Sequence, residues 1–305
     1  MGLVVNNPGG GAGWLARRLF PRAATGLYLR YIRIARASAH RRRIGEFVRA
    51  ATTPWFSHVE IETLNRCNGE CAFCPVNGKA DPRRYAKMPE ALFLRILDQL
   101  GGIGYRGYLG LFSNNEPLLD DRLEGFLEAA RRRLPRCAIN LSTNGTLLSV
   151  DRLRRLLPSL DRLVVNNYAA APVLAGNLGE VAAFLRTGEG QAALAERTVV
   201  INLRSGKDAL SSRAGSSPNR KPPAKPPASP CSLPFSQLVV RPDGKVSLCC
   251  SDALGQATLG DLAAQTLAGV WLGDAAARVR TAMLERGRMG HPLCRRCDFV
   301  KDRVD

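Results

Sequence analysis

No run of about 18 apolar residues occurs in the 305-residue chain, so no stretch of it is built to cross a bilayer as a helix. The first twenty residues, MGLVVNNPGGGAGWLARRLF, lack the ordered charged, apolar and small-residue regions of a secretory leader. Both absences lead to the expectation of a cytoplasmic protein with no membrane partner. Acidic residues are scarce, 26 Asp and Glu against 44 Lys and Arg, which gives a formal charge of +18. Half of that excess sits in the first fifty residues, where ten arginines face one acid, Glu46. Such a balance suits nucleic acid or an anionic surface. Yet no aromatic-interleaved basic stretch, zinc finger or helix-turn-helix accompanies it. Solvated basic helix faces over residues 1–57 account for the charge more simply, and nucleic acid is not expected as a partner. Disulfides are not expected either, because nine cysteines in a reducing compartment are better explained as metal ligands or catalytic thiols.

What the chain does have is alternation. A strand-like HVEIETL (58–64) is followed by helical spacing over 88–104 and a second strand at 108–112. Helix over 123–134, strand over 137–145, helix over 150–160 and strand over 162–168 follow, then helix over 179–196 and strand over 198–205. Alternating strands and helices predict parallel βα units. Five strands are clear between 58 and 205 and a sixth could be hidden, too few for a closed eight-stranded barrel. The fold class is therefore α/β, a partial (β/α)6 TIM-like barrel over 58–210. A Ser, Pro and Lys rich stretch, 211–230, reads as an extended linker. Beyond it, residues 231–305 form a small auxiliary domain: a hairpin over 236–250 about Pro242, Asp243 and Gly244, then a helix near 261–286.

The segment RCNGECAFCPV, directly after the first strand, sets Cys67, Cys71 and Cys74 in CxxxCxxC spacing. Three thiolates on one loop can hold three irons of a [4Fe–4S] cube and leave the fourth open to a ligand. A zinc or purely structural site would want a fourth ligand close by, and none is there. With Phe73 before the third cysteine, this loop resembles that of the radical S-adenosylmethionine (SAM) enzymes. GLFSNNEPLL (110–119) is similar to that family's GGEP-type motif, with Glu116 and Pro117 kept and Ser113, Asn114 and Asn115 in place of glycines. The resemblance implies that Glu116 holds the SAM amino group. It nominates Ser142 and Asn144 of NLSTNG (140–145) for the ribose and Arg204 of INLRS (201–205) for the carboxylate. For Ser142, Asn144 and Arg204, ordinary strand-end capping is a competing explanation.

Downstream lie Cys231, the doublet Cys249–Cys250, and Cys294 with Cys297 in a CxxC. This layout resembles the twitch form, a shortened SPASM domain, of the family's auxiliary module. It implies a second [4Fe–4S] cluster with four protein ligands, although a four-thiolate zinc site has compatible spacing. Five cysteines are offered for four places, while Cys137 in a core strand reads as a small buried hydrophobe. Adjacent strand residues face opposite ways, so one of the doublet is surplus to the cluster. The family resemblance is strongest to its aminoglycoside epimerases, of the type converting neomycin C to neomycin B. It implies Cys249 as the thiol returning a hydrogen atom to the opposite face, with Cys231, Cys250, Cys294 and Cys297 on the cluster. The Gly244-x4-Cys spacing points the other way, to Cys249 as the ligand, so the pair stays open. Expected partners are an amino-sugar substrate and a flavodoxin- or ferredoxin-type reductant. The alternatives are a dehydrogenase of an aminocyclitol alcohol, which needs no thiol donor, and a peptide epimerase. A polycationic substrate would need local carboxylates, and Glu60, Glu62, Asp252 and Asp298 lie near the motifs.

Overall fold

The computed structural model describes residues 2–6, 55–79, 81–169, 173–174, 176–228 and 230–300. The expected basic helices over 14–50 lie outside the described residues. Nine strands form one sheet: β1 (Gly2–Asn6), β2 (His58–Ile61), β3 (Tyr108–Gly110), β4 (Ala138–Thr143), β5 (Arg162–Ala169), β6 (Thr198–Ser205), β7 (Gln237–Val240), β8 (Lys245–Ser247) and β9 (Thr258–Asp261). Their order is β1-β6-β5-β4-β3-β2-β7-β8-β9. Every pairing from β1 to β7 is parallel, while β8 and β9 add antiparallel at the end. The architecture is the α/β partial barrel with an auxiliary hairpin that the alternation predicted, and the hairpin continues the barrel sheet through β7 beside β2.

The sixth strand comes from an unexpected place. Residues 2–6, within the stretch expected to be helical, form β1 against β6, pairing Val4 with Val200, Val5 with Ile201 and Asn6 with Asn202. LVVN of β1 repeats the reading of LVVN in β5 and VVIN in β6, β-branched residues ahead of an asparagine.

Parity along the strands separates core from cavity. Val59, Ile61, Leu109, Leu111, Ile139, Leu141, Leu163, Val165, Val199, Ile201 and Leu203 join one apolar cluster with the helices. Glu60, Asn140, Ser142, Asn166, Asn202 and Arg204 occupy the alternate positions and take the opposite face. Helix α1 (Glu90–Gly102) covers the apolar face with Leu92, Phe93, Ile96, Leu97 and Leu100, each contributing about 1.5–3 kcal/mol when fully buried. Helices α2 (Leu123–Arg133), α3 (Val150–Leu156), α4 (Gly176–Phe184) and α5 (Gly188–Leu194) complete that layer. The single helix expected over 179–196 is two, because Thr187 accepts the Gly190 N–H through Oγ1 at 3.1 Å and caps a new start. None of the described helices is long and apolar enough to cross a membrane.

The Ser/Pro/Lys stretch departs from a free linker in its first half. Ser212 donates its N–H to Asp298 Oδ1 at 2.6 Å and its hydroxyl to Arg296 O at 2.9 Å, and Ser217 Oγ donates to Phe73 O at 2.9 Å. Residues 212–217 thus bind both the first cysteine loop and the end of the auxiliary domain. Residues 221–228 form no helix or strand.

Candidate active site

The polar face of the sheet and the loops at the strand ends enclose a cavity of about 690 Å3, within the range that holds cofactors and small substrates. Cys67, Cys71, Cys74, Glu116, Ser142, Asn144 and Arg204 all line it, so the structure brings the first cysteine loop and the nominated SAM contacts together. The cysteine loop is folded by its own backbone. Cys74 N–H donates to Cys71 O at 3.0 Å, Gly78 N–H to Gly69 O at 2.8 Å, and Asn77 Nδ2 to Cys74 O at 3.0 Å. Gly69 N–H donates to Cys67 Sγ at 3.3 Å, and Asn144 Nδ2 approaches the same sulfur at 3.9 Å. Burial pushes Cys67 and Cys71 up to about 11 when no cation is near. An iron cluster reverses that preference by taking the thiolate form.

Glu116 is buried at the cavity wall and makes three hydrogen bonds within the protein. Its Oε1 accepts from Thr143 Oγ1 at 2.6 Å and from Leu118 N at 3.0 Å, and its Oε2 accepts from Asn144 N at 2.7 Å. The carboxylate therefore clamps the end of β4 to the loop after β3. Burial raises its pKa and these hydrogen bonds oppose the rise. Asn144 is likewise occupied, donating from Nδ2 to Asn68 Oδ1 at 2.8 Å and accepting from Thr146 N at 2.9 Å. Gly145 follows with φ +79, and a Cβ there would lie 2.6 Å from Val165, which is why the turn out of β4 carries glycine.

Sequence reasoning missed a polar ladder on the cavity side. Asn6 Nδ2 donates to Asn202 Oδ1 at 2.8 Å, Asn202 Nδ2 to Asn166 Oδ1 at 3.0 Å, and Asn166 Nδ2 to Ser142 Oγ at 3.1 Å. It orients Ser142 from three strands away. Asn166, Tyr168, Phe112, Arg213 and Phe299 also line the cavity, and Tyr168 packs edge-on to Phe73 at 4.9 Å. Strand parity in RLVVNNY marks Asn166 and Tyr168, while nothing in the sequence marked Arg213.

The cysteine doublet divides between two cavities. Cys249 lines a small, largely apolar one with Cys231, Cys294 and Cys297. Burial raises the Cys249 pKa well above the ordinary thiol, and neighbouring Cys250, Cys231, Cys297 and Cys294 add to the rise. Cys250 instead lines the large cavity, its N–H donating to Gln237 Oε1 at 3.0 Å. The expectation set Cys250 with the other auxiliary cysteines and Cys249 toward the substrate; in the structure it is Cys249 that shares the small cavity with them and Cys250 that lines the large one, the arrangement the Gly244-x4-Cys spacing points to. Its physical reason is position: Cys250 is turned toward Gln237 and Asn114 on the barrel's polar face, and Asn114 Nδ2 donates to Cys250 O at 3.2 Å. Among the described residues no three His, Cys, Asp or Glu side chains converge on a single ion. Four thiols around one small cavity are the soft donor set that an iron–sulfur cluster takes.

The carboxylates proposed for a polycation are engaged elsewhere. Glu60 accepts from Ser113 Oγ at 2.6 Å and Gln237 Nε2 at 2.9 Å, and Glu62 binds Arg83 at 3.2 Å. Asp252 accepts from Gln256 N at 2.7 Å and Ala257 N at 3.0 Å, closing the turn after the doublet. Asp298 lines the large cavity but pairs with Arg220 at 2.6 Å.

Two family matches coincide with these two sites. Residues 61–169 match the radical SAM superfamily, and residues 231–298 match SPASM, an iron–sulfur cluster-binding domain. The chain carries a radical SAM domain followed by a SPASM-type domain. Such domains bind SAM and two iron–sulfur clusters. The chain is 27% identical over 246 residues to the S-adenosyl-L-methionine-dependent 2-deoxy-scyllo-inosamine dehydrogenase of Niallia circulans, covering 80% of this chain and 94% of that one. Among solved structures it resembles BtrN in complex with AdoMet and 2-DOIA, with 26% identity, TM-score 0.68 and coverage of 80% and 94% of the two chains. An open conformation of BtrN shares the fold at 23% identity and TM-score 0.58, covering 82% and 97%. This likeness to a dehydrogenase across both domains overturns the expected epimerase. The surplus thiol that favoured inversion is not by itself a functional signature.

Proposed function

We propose that the protein is a radical SAM dehydrogenase that oxidises a secondary alcohol of an aminocyclitol to a ketone. The observation that carries this reading is the match to a 2-deoxy-scyllo-inosamine dehydrogenase over nearly its whole length, through both cysteine-bearing domains. Cys67, Cys71 and Cys74 would hold the first cluster; Cys231, Cys249, Cys294 and Cys297 would hold the second. When bound, SAM on the first cluster supplies the one-electron chemistry that removes a hydrogen atom from an unactivated C–H bond, and the second cluster is suited to take up an electron.

The residues of the chain do the positioning. Converting CH–OH to C=O removes one hydrogen atom, one proton and one electron, and none of these requires a hydrogen donor among the side chains. Glu116 fixes the end of β4, and the asparagine ladder presents Ser142 to the cavity. Phe73, Phe112, Tyr168 and Phe299 bring apolar surface to it and exclude water. The reductant that primes the first cluster is proposed to be of flavodoxin or ferredoxin type.

The test is anaerobic incubation of reconstituted protein with SAM, dithionite and 2-deoxy-scyllo-inosamine. An amino ketone formed in equal amount with 5′-deoxyadenosine is expected. Recovery of the alcohol alone, whatever its configuration, contradicts the proposal.

A further inference from the structure

Of the lysines and arginines among the described residues, one is buried: Arg288, at 5% exposure. Arginine is almost never fully buried unless something in the interior answers its charge. Arg288 belongs to the 3-10 turn Gly287–Gly290, flanked by Arg286 and Met289, which are both exposed. The turn is pressed back on the helix before it, Asp274–Arg286, so closely that a Cβ on Gly290 would collide with Ala282 O. This fold sends the Arg288 side chain inward, where it lines the small cavity with Cys231, Cys249, Cys294 and Cys297.

The surroundings of that cavity are mainly apolar. Leu233, Leu248 and Leu293 line it, and Val279 and Met283 of the helix pack into one cluster with Cys249 and Cys294. Charges act strongly on one another in such a place, because little water is present to screen them. Burial pushes the Cys294 thiol up to about 12; Arg288 opposes that rise, and more strongly than buried Asp252 adds to it. The cation thus already favours negative charge on a cluster ligand. An iron–sulfur cluster on four thiolates is negative in either oxidation state and gains one further negative charge on reduction. A fixed cation beside it stabilises the reduced form more than the oxidised one, and net charge near a cluster is among the factors that set its potential. Guanidinium suits this place because it stays protonated when buried and is weakly hydrated.

We propose that Arg288 is a positioning residue for the auxiliary cluster, its buried charge raising the cluster's reduction potential and so favouring uptake of an electron. The inference rests on the dehydrogenase reading for its purpose, since the electron in question is the one released as CH–OH becomes C=O. Arg288 touches neither substrate nor SAM in this role; it acts through the cluster alone.

The test is a redox titration, followed by electron paramagnetic resonance, of the full-length reconstituted wild type, Arg288→Gln, Arg288→Lys and Arg286→Gln. Added SAM tells the clusters apart, because it alters the signal of the one with an open iron. Arg288→Gln should keep the wild-type iron while its auxiliary potential falls by about 60–120 mV, a drop of about ten- to a hundredfold in the equilibrium constant for uptake of one electron. Arg288→Lys, which keeps the charge, should recover most of that fall. Arg286→Gln, which removes an exposed charge from the adjoining helix end, should leave the potential unchanged. An unchanged potential in Arg288→Gln, an equal fall in Arg288→Lys, or loss of the auxiliary iron from Arg288→Gln assigns Arg288 to packing and overturns the inference. No substrate enters the titration, so each of these results leaves the dehydrogenase reading standing. Failure of wild type to oxidise 2-deoxy-scyllo-inosamine overturns that reading instead, and with it the purpose given to the tuning.

Discussion

Glu116 stabilises the site from behind. A carboxylate accepting from Thr143, Asn144 and Leu118 holds two strand ends at a fixed spacing, and an amide in its place offers a single acceptor atom. Glu116→Gln should therefore lose about 1.5–3 kcal/mol in chemical denaturation and weaken SAM binding measured by calorimetry. Unchanged stability would show that the three contacts are not formed together. The sequence placed Glu116 in the right motif, but its three donors come from β4 and the turn after it. The carboxylate's structural work was therefore hidden in the linear reading. The doublet shows the same limit in another form. The sequence set Cys249 and Cys250 in a strand, but β8 ends at Ser247 and the doublet lies in the turn after it, where the Gln237 and Asn114 contacts, made by residues far away in sequence, bring Cys250 to the barrel.

At the level of elements, alternation of strand and helix gave the parallel sheet directly, because apolar residues at every second position can bury only one strand face. β1 escaped because it is five residues long and stands before a long basic stretch, with its partner almost 200 residues away. Its asparagine heads the ladder, so the strand has a consequence for the cavity. Asn202→Ala should leave Asn6 and Asn166 without their partner, costing about 1–3 kcal/mol of stability and loosening Ser142. Hydrogen exchange at β1 and β6 reads the effect, and unaltered protection in β1 would count against the ladder. The turn after the Glu116 motif carries a pH dependence of its own. Burial pushes the Asp120 carboxyl up, but hydrogen bonds from Arg122 outweigh it and hold the pKa below its ordinary 3.8. A depressed carboxylate contributes stability above its unfolded pKa and loses it as pH falls through the folded one. Acid titration of Asp120→Asn should thus show a shallower loss of stability below about pH 4 than wild type. Parallel curves would contradict the assignment.

On the scale of the whole molecule, the auxiliary hairpin and the barrel share one sheet, and the turn at residues 212–217 binds both cysteine regions. The large cavity lies where those regions meet, its wall carrying Cys67, Cys71 and Cys74 together with Cys250 and Asp298. Cys249→Ala should cost about half the bound iron, since each cube holds an equal share, whereas Cys250→Ala should retain it all. Dehydrogenation asks nothing of the Cys250 thiol, so its loss should leave the reaction intact. The most direct measurement is the product formed by iron-replete Cys250→Ala from 2-deoxy-scyllo-inosamine, read by mass spectrometry beside wild type. Both proteins are predicted to give the same amino ketone, lighter than substrate by two hydrogens. A Cys250→Ala enzyme that binds substrate and cleaves SAM but forms no ketone would show that the thiol takes part in the reaction and contradict the proposed dehydrogenation.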